Sequence, residues 1–215
     1  MLKALIFDFD GTIANTLPVC INAFKRTVEP VLGKEMSLQE VRSYFGPAEE
    51  GIFAKHFPDR QRELAETYYK IYAEEQAKIP NLVPGVMDVV REVKKRGIRV
   101  ALITAKGPIS YKISLDFYKI ADDFEEIRTG GANGRVKDVA IREVLEIMGV
   151  GTDEVAYVGD SWKDVISSHK AGVPSWAAAW LSTADPERIL SYNPEKIFYT
   201  VDEFRRALQE EGILE

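Results

Sequence analysis

Residues 4–12 constrain this chain more than any other stretch. An apolar run beginning Ala4-Leu-Ile-Phe7 continues through Asp8-Phe9-Asp10 and stops at Gly11-Thr12, so two carboxylates lie two residues apart where the apolar segment ends. A run this short reads as a strand buried on both faces, the kind found in parallel sheets. A charge near the end of such a strand is costly to bury unless something pairs with it. Two carboxylates need more compensation than one, and a divalent cation is the simplest source. The stretch therefore predicts metal-assisted chemistry at the carboxyl end of a strand.

The pattern downstream agrees. Residues 16–32 read as an amphipathic helix closed by Gly33. Ser37-Leu-Gln-Glu40 is a capping box that opens a short helix ending at Gly46-Pro47. Further helices are predicted over about 48–56 and from Pro58-Asp59 to about 78, with no strand between about 12 and 97. From Gly85 the pattern alternates. Helices are expected at 86–95, 109–118, 137–148, 162–171, 186–190 and from 202, and strands at 98–103, 124–128, 155–158, 174–179 and 197–199. Such alternation predicts a doubly wound, Rossmann-like parallel sheet covered by helices on both faces. The first strand belongs to this sheet, so the helices between it and residue 81 form an insertion. The expected division is an α/β core of residues 1–15 and 81–215 and a small helical cap of residues 16–80.

At 215 residues the chain is long enough for one such core plus a small insert. Its 46% apolar and 29% charged residues suit a soluble globular protein, and a formal charge of −6 gives no nucleic-acid footprint. No apolar run approaches the roughly 18–20 residues that cross a bilayer, and the start lacks a signal-peptide layout. The single cysteine, Cys20, excludes an internal disulfide and reads as a small buried residue in a reducing, cytoplasmic setting. Oligomeric state is not legible.

Ligands of open parallel sheets bind beyond the carboxyl ends of the strands. There the sequence places Asp8 and Asp10 after the first strand and Thr104 after the second. It places Asp160 and Ser161 after the strand 155–158, with Asp164 one helical turn later and Lys137 at a helix start. Three or four carboxylates call for a hard cation, Mg²⁺ in particular, and a hydroxyl with an ammonium suits phosphoryl oxygens. Phosphoryl transfer needs little beyond positioning and neutralised charge.

These residues resemble the four motifs of the haloacid dehalogenase-like superfamily of phosphohydrolases. Asp8-Phe-Asp10-Gly11-Thr12 looks like the first, Thr104 the second, Lys137 the third, and Gly159-Asp160-Ser161-Trp-Lys-Asp164 the fourth. The resemblance spans nearly the whole chain, and the insert resembles the helical cap of the phosphoglycolate phosphatase and β-phosphoglucomutase-like branch. It implies an Mg²⁺-dependent phosphatase of a small phosphomonoester, working through an aspartyl phosphate. Asp8 would be the nucleophile and Asp10 the acid, then the base. Gly11, Thr12, Thr104, Ala105, Lys106 and Lys137 would surround the phosphoryl group or substrate. Asp8, Asp10 (through its backbone carbonyl), Asp160 and Asp164 would surround the metal. Three positions depart from the usual pattern: Asn15 where an acid is common, Lys137-Asp138 in place of Lys-Pro, and Ala105-Lys106 where Asn is common. Arg135 is an alternative to Lys137, and Lys106 is a candidate contact for an anionic substrate.

Within the cap the sequence ranks little. The segment 44–50 is a loop able to face the site, although Glu49 and Glu50 also suit the first turn of a helix. Arg42, Lys55 and His56 are the candidate cap contacts for an anion, whereas Tyr68, Tyr69 and Tyr72 read as cap core, and Trp162 and His169 as packing or surface residues. Two other functions fit parts of the pattern. A phosphosugar mutase would share the nucleophile but need a water-excluding cap. A phospho-acceptor signalling domain would share the acids, Thr, Lys and Mg²⁺, but has no place for the insert.

Overall fold

The computed structural model describes residues 1–78, 82–131 and 137–215. The strands β1 (Ala4–Phe7), β2 (Arg99–Ile103), β3 (Glu126–Arg128), β4 (Val155–Gly159), β5 (Ser175–Ala178) and β6 (Lys196–Phe198) form one sheet in the order β3-β2-β1-β4-β5-β6. Every neighbouring pair is parallel. The order reverses at β1, so the crevice where ligands bind in doubly wound sheets lies at the carboxyl ends of β1 and its neighbours β2 and β4.

Side chains alternate across the strands, which sorts the core into two layers. Leu5, Phe7, Val100, Leu102, Ala156 and Val158 point to one face. There they meet the helices α5 (Val86–Lys95), α6 (Pro108–Tyr118) and α10 (Val201–Glu210). Ala4, Ile6, Ala101, Ile103, Val155 and Tyr157 point to the other, against α7 (Lys137–Met148) and the end of α8 (Trp162–Ala171). A shorter helix, α9 (Pro186–Leu190), covers Val165 and Ala177 through Ile189. β1 is fully buried along its length, as its unbroken apolar run requires.

Between β1 and α5 the described residues make four helices, α1 (Leu17–Leu32), α2 (Leu38–Tyr44), α3 (Glu49–His56) and α4 (Gln61–Lys78). They pack around a cluster of their own, in which Phe24, Phe53, Leu64, Tyr68 and Tyr72 are almost wholly buried. Ser37 and Glu40 form the capping box at the start of α2, and Gly33 ends α1 in the left-handed conformation. The two connections to the sheet run side by side: Ala14 bridges Leu82, and the Val83 amide donates to the Ile13 carbonyl at 2.9 Å.

Predicted elements are present within a residue or two of their expected ends, apart from the helix expected from Pro58, which opens with a 3₁₀ turn and becomes α-helical at Gln61. Two single 3₁₀ turns, at Ala121–Asp123 and Thr152–Glu154, have no counterpart in the sequence reading because one turn leaves too short a pattern. Arg135 lies outside the described residues, as does most of the glycine-rich segment 130–134. No helix among the described residues is long and apolar enough to cross a membrane.

Candidate active site

Asp8 follows β1 directly and is almost fully buried. Across the switch point, β4 ends at Gly159 and Asp160 follows. One carboxylate oxygen from each of Asp8, Asp160 and Asp164 lies within 4.8 Å of the others. Two glycines make this proximity possible. Gly11 has φ +83°, and a Cβ there would overlap the Asp160 carboxylate; a Cβ on Gly159 would meet the Asp164 side chain.

Asp164 is held on both oxygens. Ser161, the N-cap of α8, donates its amide at 3.1 Å and its hydroxyl at 2.5 Å to Oδ2. Tyr157 donates to Oδ1 at 3.2 Å, and the Lys137 ammonium lies 2.5 Å from the same atom. Lys137 also pairs with Asp8 Oδ1 at 3.0 Å, so one ammonium bridges two of the three acids. Asp160 has no hydrogen-bond or ion-pair partner among the described residues.

The electrostatic consequence is large. Burial pushes the Asp8 carboxyl up to about 7; Lys137 pulls it back, and Asp164 and Asp10 push it further up. Asp160 is raised well above the carboxylate range by burial first and then by Asp164 and Asp8. Burial alone would lower Lys137, but Asp164 and Asp8 hold it well above an ordinary lysine. One ammonium is thus insufficient for three acids. The donor set, all carboxylate oxygen with one acid unpartnered, fits a hard divalent cation. The Thr12 hydroxyl, buried without a hydrogen-bond partner among the described residues, leaves a further polar atom unused in the same loop.

Asp10 faces a different group of partners. Thr16, at the start of α1, donates its hydroxyl to Asp10 Oδ1 in place of capping its own helix. Thr104 lies at hydrogen-bond range, 3.5 Å from Oδ2, and Lys106 Nζ is 3.2 Å from Oδ1. The structure therefore brings Asp8, Asp160, Asp164 and Lys137 together, with Asp10, Thr104 and Lys106 alongside. Lys106 is not a free surface cation. It is almost fully buried, its ammonium is 3.1 Å from Cys20 Sγ, and it stands 4.6 Å from the centre of the Tyr72 ring. Burial pulls its pKa down, yet Asp10 and the groups around it hold it well above the ordinary value.

Above Asp10 a cavity of about 180 Å³ opens between the helical layer and the strand ends. Cys20 lines it, as do Ala105 and Lys106, whereas Arg42, Lys55 and His56 do not. Those three are exposed, and His56 packs against the Tyr44 ring. Tyr68, Tyr69 and Tyr72 are buried in the cap cluster as expected, but Tyr68 also reaches the cavity. Cys20 is half-buried rather than buried, with its thiol pushed up to about 11 by burial.

Two contacts escaped the sequence reading. Glu49 is buried and caps a helix other than its own: Oε2 accepts from the Gly107 amide at 2.8 Å and Oε1 from the Ser110 hydroxyl at 2.6 Å, at the start of α6. A signal existed, because Gly107-Pro108 opens α6 without a side-chain cap of its own. Trp180 donates its indole N–H to the Thr12 carbonyl at 3.1 Å, tying the loop after β5 to the first motif. Nothing local in sequence signals that bond.

Residues 5–178 match the family of haloacid dehalogenase-like hydrolases. The chain is 24% identical over 181 residues to the pyrophosphatase PpaX of Bacillus cereus (strain B4264), covering 83% of this chain and 84% of that one. Among solved structures, a haloacid dehalogenase-like family hydrolase from Streptococcus pneumoniae superposes with a TM-score of 0.78 at 20% identity, over 96% of this chain and 98% of that one. CbbY from Rhodobacter sphaeroides, solved with xylulose 1,5-bisphosphate, gives a TM-score of 0.78 at 20% identity, over 93% and 95%.

Proposed function

Because the chain belongs to the haloacid dehalogenase-like hydrolase family, we propose that it is a divalent-cation-dependent phosphatase of a small phosphomonoester, with Asp8 as nucleophile. The observation that carries this reading is the meeting of Asp8, Asp160 and Asp164, two of them paired with the Lys137 ammonium, at the switch point of the sheet.

Asp8, Asp160 and the backbone carbonyl of Asp10, with Asp164 beside them, would hold Mg²⁺. Bound there, Mg²⁺ supplies the positive charge that keeps Asp8 ionised and neutralises phosphoryl oxygens. In the first step an Asp8 oxygen attacks phosphorus, the bond to the ester oxygen breaks, and Asp10 gives that oxygen its proton. In the second, Asp10 takes a proton from a water that attacks the aspartyl phosphate, releasing inorganic phosphate and restoring Asp8. Lys137 and the hydroxyl of Thr104 would hold phosphoryl oxygens, and Gly11 and Thr12 form the turn beside them. Thr16 and Lys106 keep the Asp10 carboxyl in place between the two steps.

The helical layer of residues 16–80 serves as a cap over this site, and residues 1–15 and 81–215 as the catalytic core. Glu49 and the hydrogen bonds joining Tyr72, Ser114 and Gln76 hold the two against each other. The test is Asp8→Asn. With Mg²⁺ and an aryl phosphate, turnover should drop by at least about a thousandfold, with the far-ultraviolet circular dichroism unchanged. Turnover near the wild-type rate in a folded Asp8→Asn protein would contradict the assignment.

A further inference from the structure

The cavity beside Asp10 is where the part of the substrate beyond the ester oxygen has room, and its walls have a definite chemistry. Leu17, Phe24, Phe45, Ile52, Phe53 and Tyr68 supply most of its apolar lining. Its charged groups are few and already engaged. Both oxygens of Glu49 accept hydrogen bonds from the start of α6. The Lys106 ammonium is taken by Asp10, Cys20 and the Tyr72 ring. Two carboxylates, Asp10 and Glu49, stand against one ammonium, so the lining carries an excess of negative charge. Arg42 and Lys55, two of the cap's exposed cations, are not part of it.

A pocket of this kind cannot compensate the carboxylate of a phosphorylated acid or the second phosphate of a pyrophosphate, because an anion buried without a partner is strongly disfavoured. It rewards an apolar group instead. Its volume, about 180 Å³, is close to that of an engineered apolar cavity of about 150 Å³ that takes up benzene. We infer that the substrate is a phosphomonoester whose leaving alcohol is uncharged and apolar, about the size of one aromatic ring or a short alkyl chain. This deepens the phosphatase reading and rests on it for the reaction, although not for the binding.

The experiment has two arms, one independent of catalysis. In the first, kcat/KM of the wild-type protein with Mg²⁺ is compared for benzyl phosphate, glycerol 3-phosphate, phosphoglycolate and inorganic pyrophosphate. Benzyl phosphate should exceed each of the others by at least about tenfold, the scale of discrimination that one or two apolar contacts provide. Equal or better turnover of phosphoglycolate or pyrophosphate overturns the inference. In the second arm, the affinities of benzylphosphonate and phosphonoacetate, which cannot be hydrolysed as esters, are measured by calorimetry. Benzylphosphonate should bind at least about tenfold more tightly, and equal affinity overturns the inference. If no ester turns over while benzylphosphonate still binds preferentially, the phosphatase reading fails and the apolar pocket stands. Phe45→Lys, at a half-buried lining position, should narrow or reverse the preference in either arm.

Discussion

The two walls of the cleft are built on opposite physics. On the sheet side, three acids and an ammonium crowd the ends of β1 and β4, with burial and mutual repulsion pushing Asp8 up to about 7. On the helical side, aromatic and aliphatic side chains from α1, α3 and the α2–α3 loop surround a cavity with few charges. The sheet wall holds costly groups in fixed positions, which is what stabilising a charged transition state requires. The helical wall offers non-directional apolar contact, which selects by size and polarity. Changes to the first should therefore act on every substrate alike, and changes to the second should reorder substrates.

Among changes that keep the nucleophile, the largest effect is expected for Lys137→Met. It leaves Asp8 and Asp164 without their shared cation, so kcat should fall at least about a hundredfold for all esters tested. In metal-free buffer, urea unfolding should show a loss of about 3–5 kcal/mol, the usual cost of removing one partner from a buried ion pair. A change confined to one ester would break the separation between the walls. Phe53→Ala probes the other wall. Phe53 is fully buried among Phe24, Phe57 and Tyr68, so its truncation should cost about 3–5 kcal/mol in urea unfolding. In the folded fraction it should alter the ranking of apolar esters by KM more than their kcat.

A smaller effect lies in the pH dependence of the metal-free protein. The Asp8 carboxyl titrates near 3.8 when unfolded and at about 7 when folded, so between those values the folded state binds the extra proton. This contribution to stability is complete below about 4 and is lost as pH rises through 7. With a chelator present, Asp8→Asn should gain stability relative to wild type as pH rises from 5 to 8, on the order of 1 kcal/mol or more. Mg²⁺ should remove the difference. A gap between the two proteins that is independent of pH would show that Asp8 does not feel the burial described here.

The same contrast explains what the sequence disclosed. Asp8 and Asp10 were legible because carboxylates at the end of an apolar run conflict with local packing, and such conflicts mark sites. The sheet was legible from alternating periods, and Gly33 and the Ser37–Glu40 box from their stop and start chemistry. The helical wall gave no comparable signal. Phe24 and Phe53 look alike whether they fill a core or line a cavity, and both serve in each role here. Cys20 and Glu49 were read from their own helices, whereas each is defined by a residue more than fifty positions away, Lys106 and Gly107 respectively. Lys106 was expected to greet an anionic substrate; only the fold reveals that Asp10 already occupies it.

The central claim is that Asp8 accepts the phosphoryl group and Asp10 releases it, and trapping the intermediate tests it most directly. In Asp10→Asn, an aryl phosphate needs little help from an acid because its leaving group is stable as an anion, while hydrolysis of the intermediate lacks its base. Mixed with an aryl phosphate and Mg²⁺ and quenched in acid, this variant should show one phosphoryl group on the peptide containing Asp8, removable by hydroxylamine and absent from Asp8→Asn. A phosphoryl group on another residue, or steady turnover by Asp8→Asn, would contradict it.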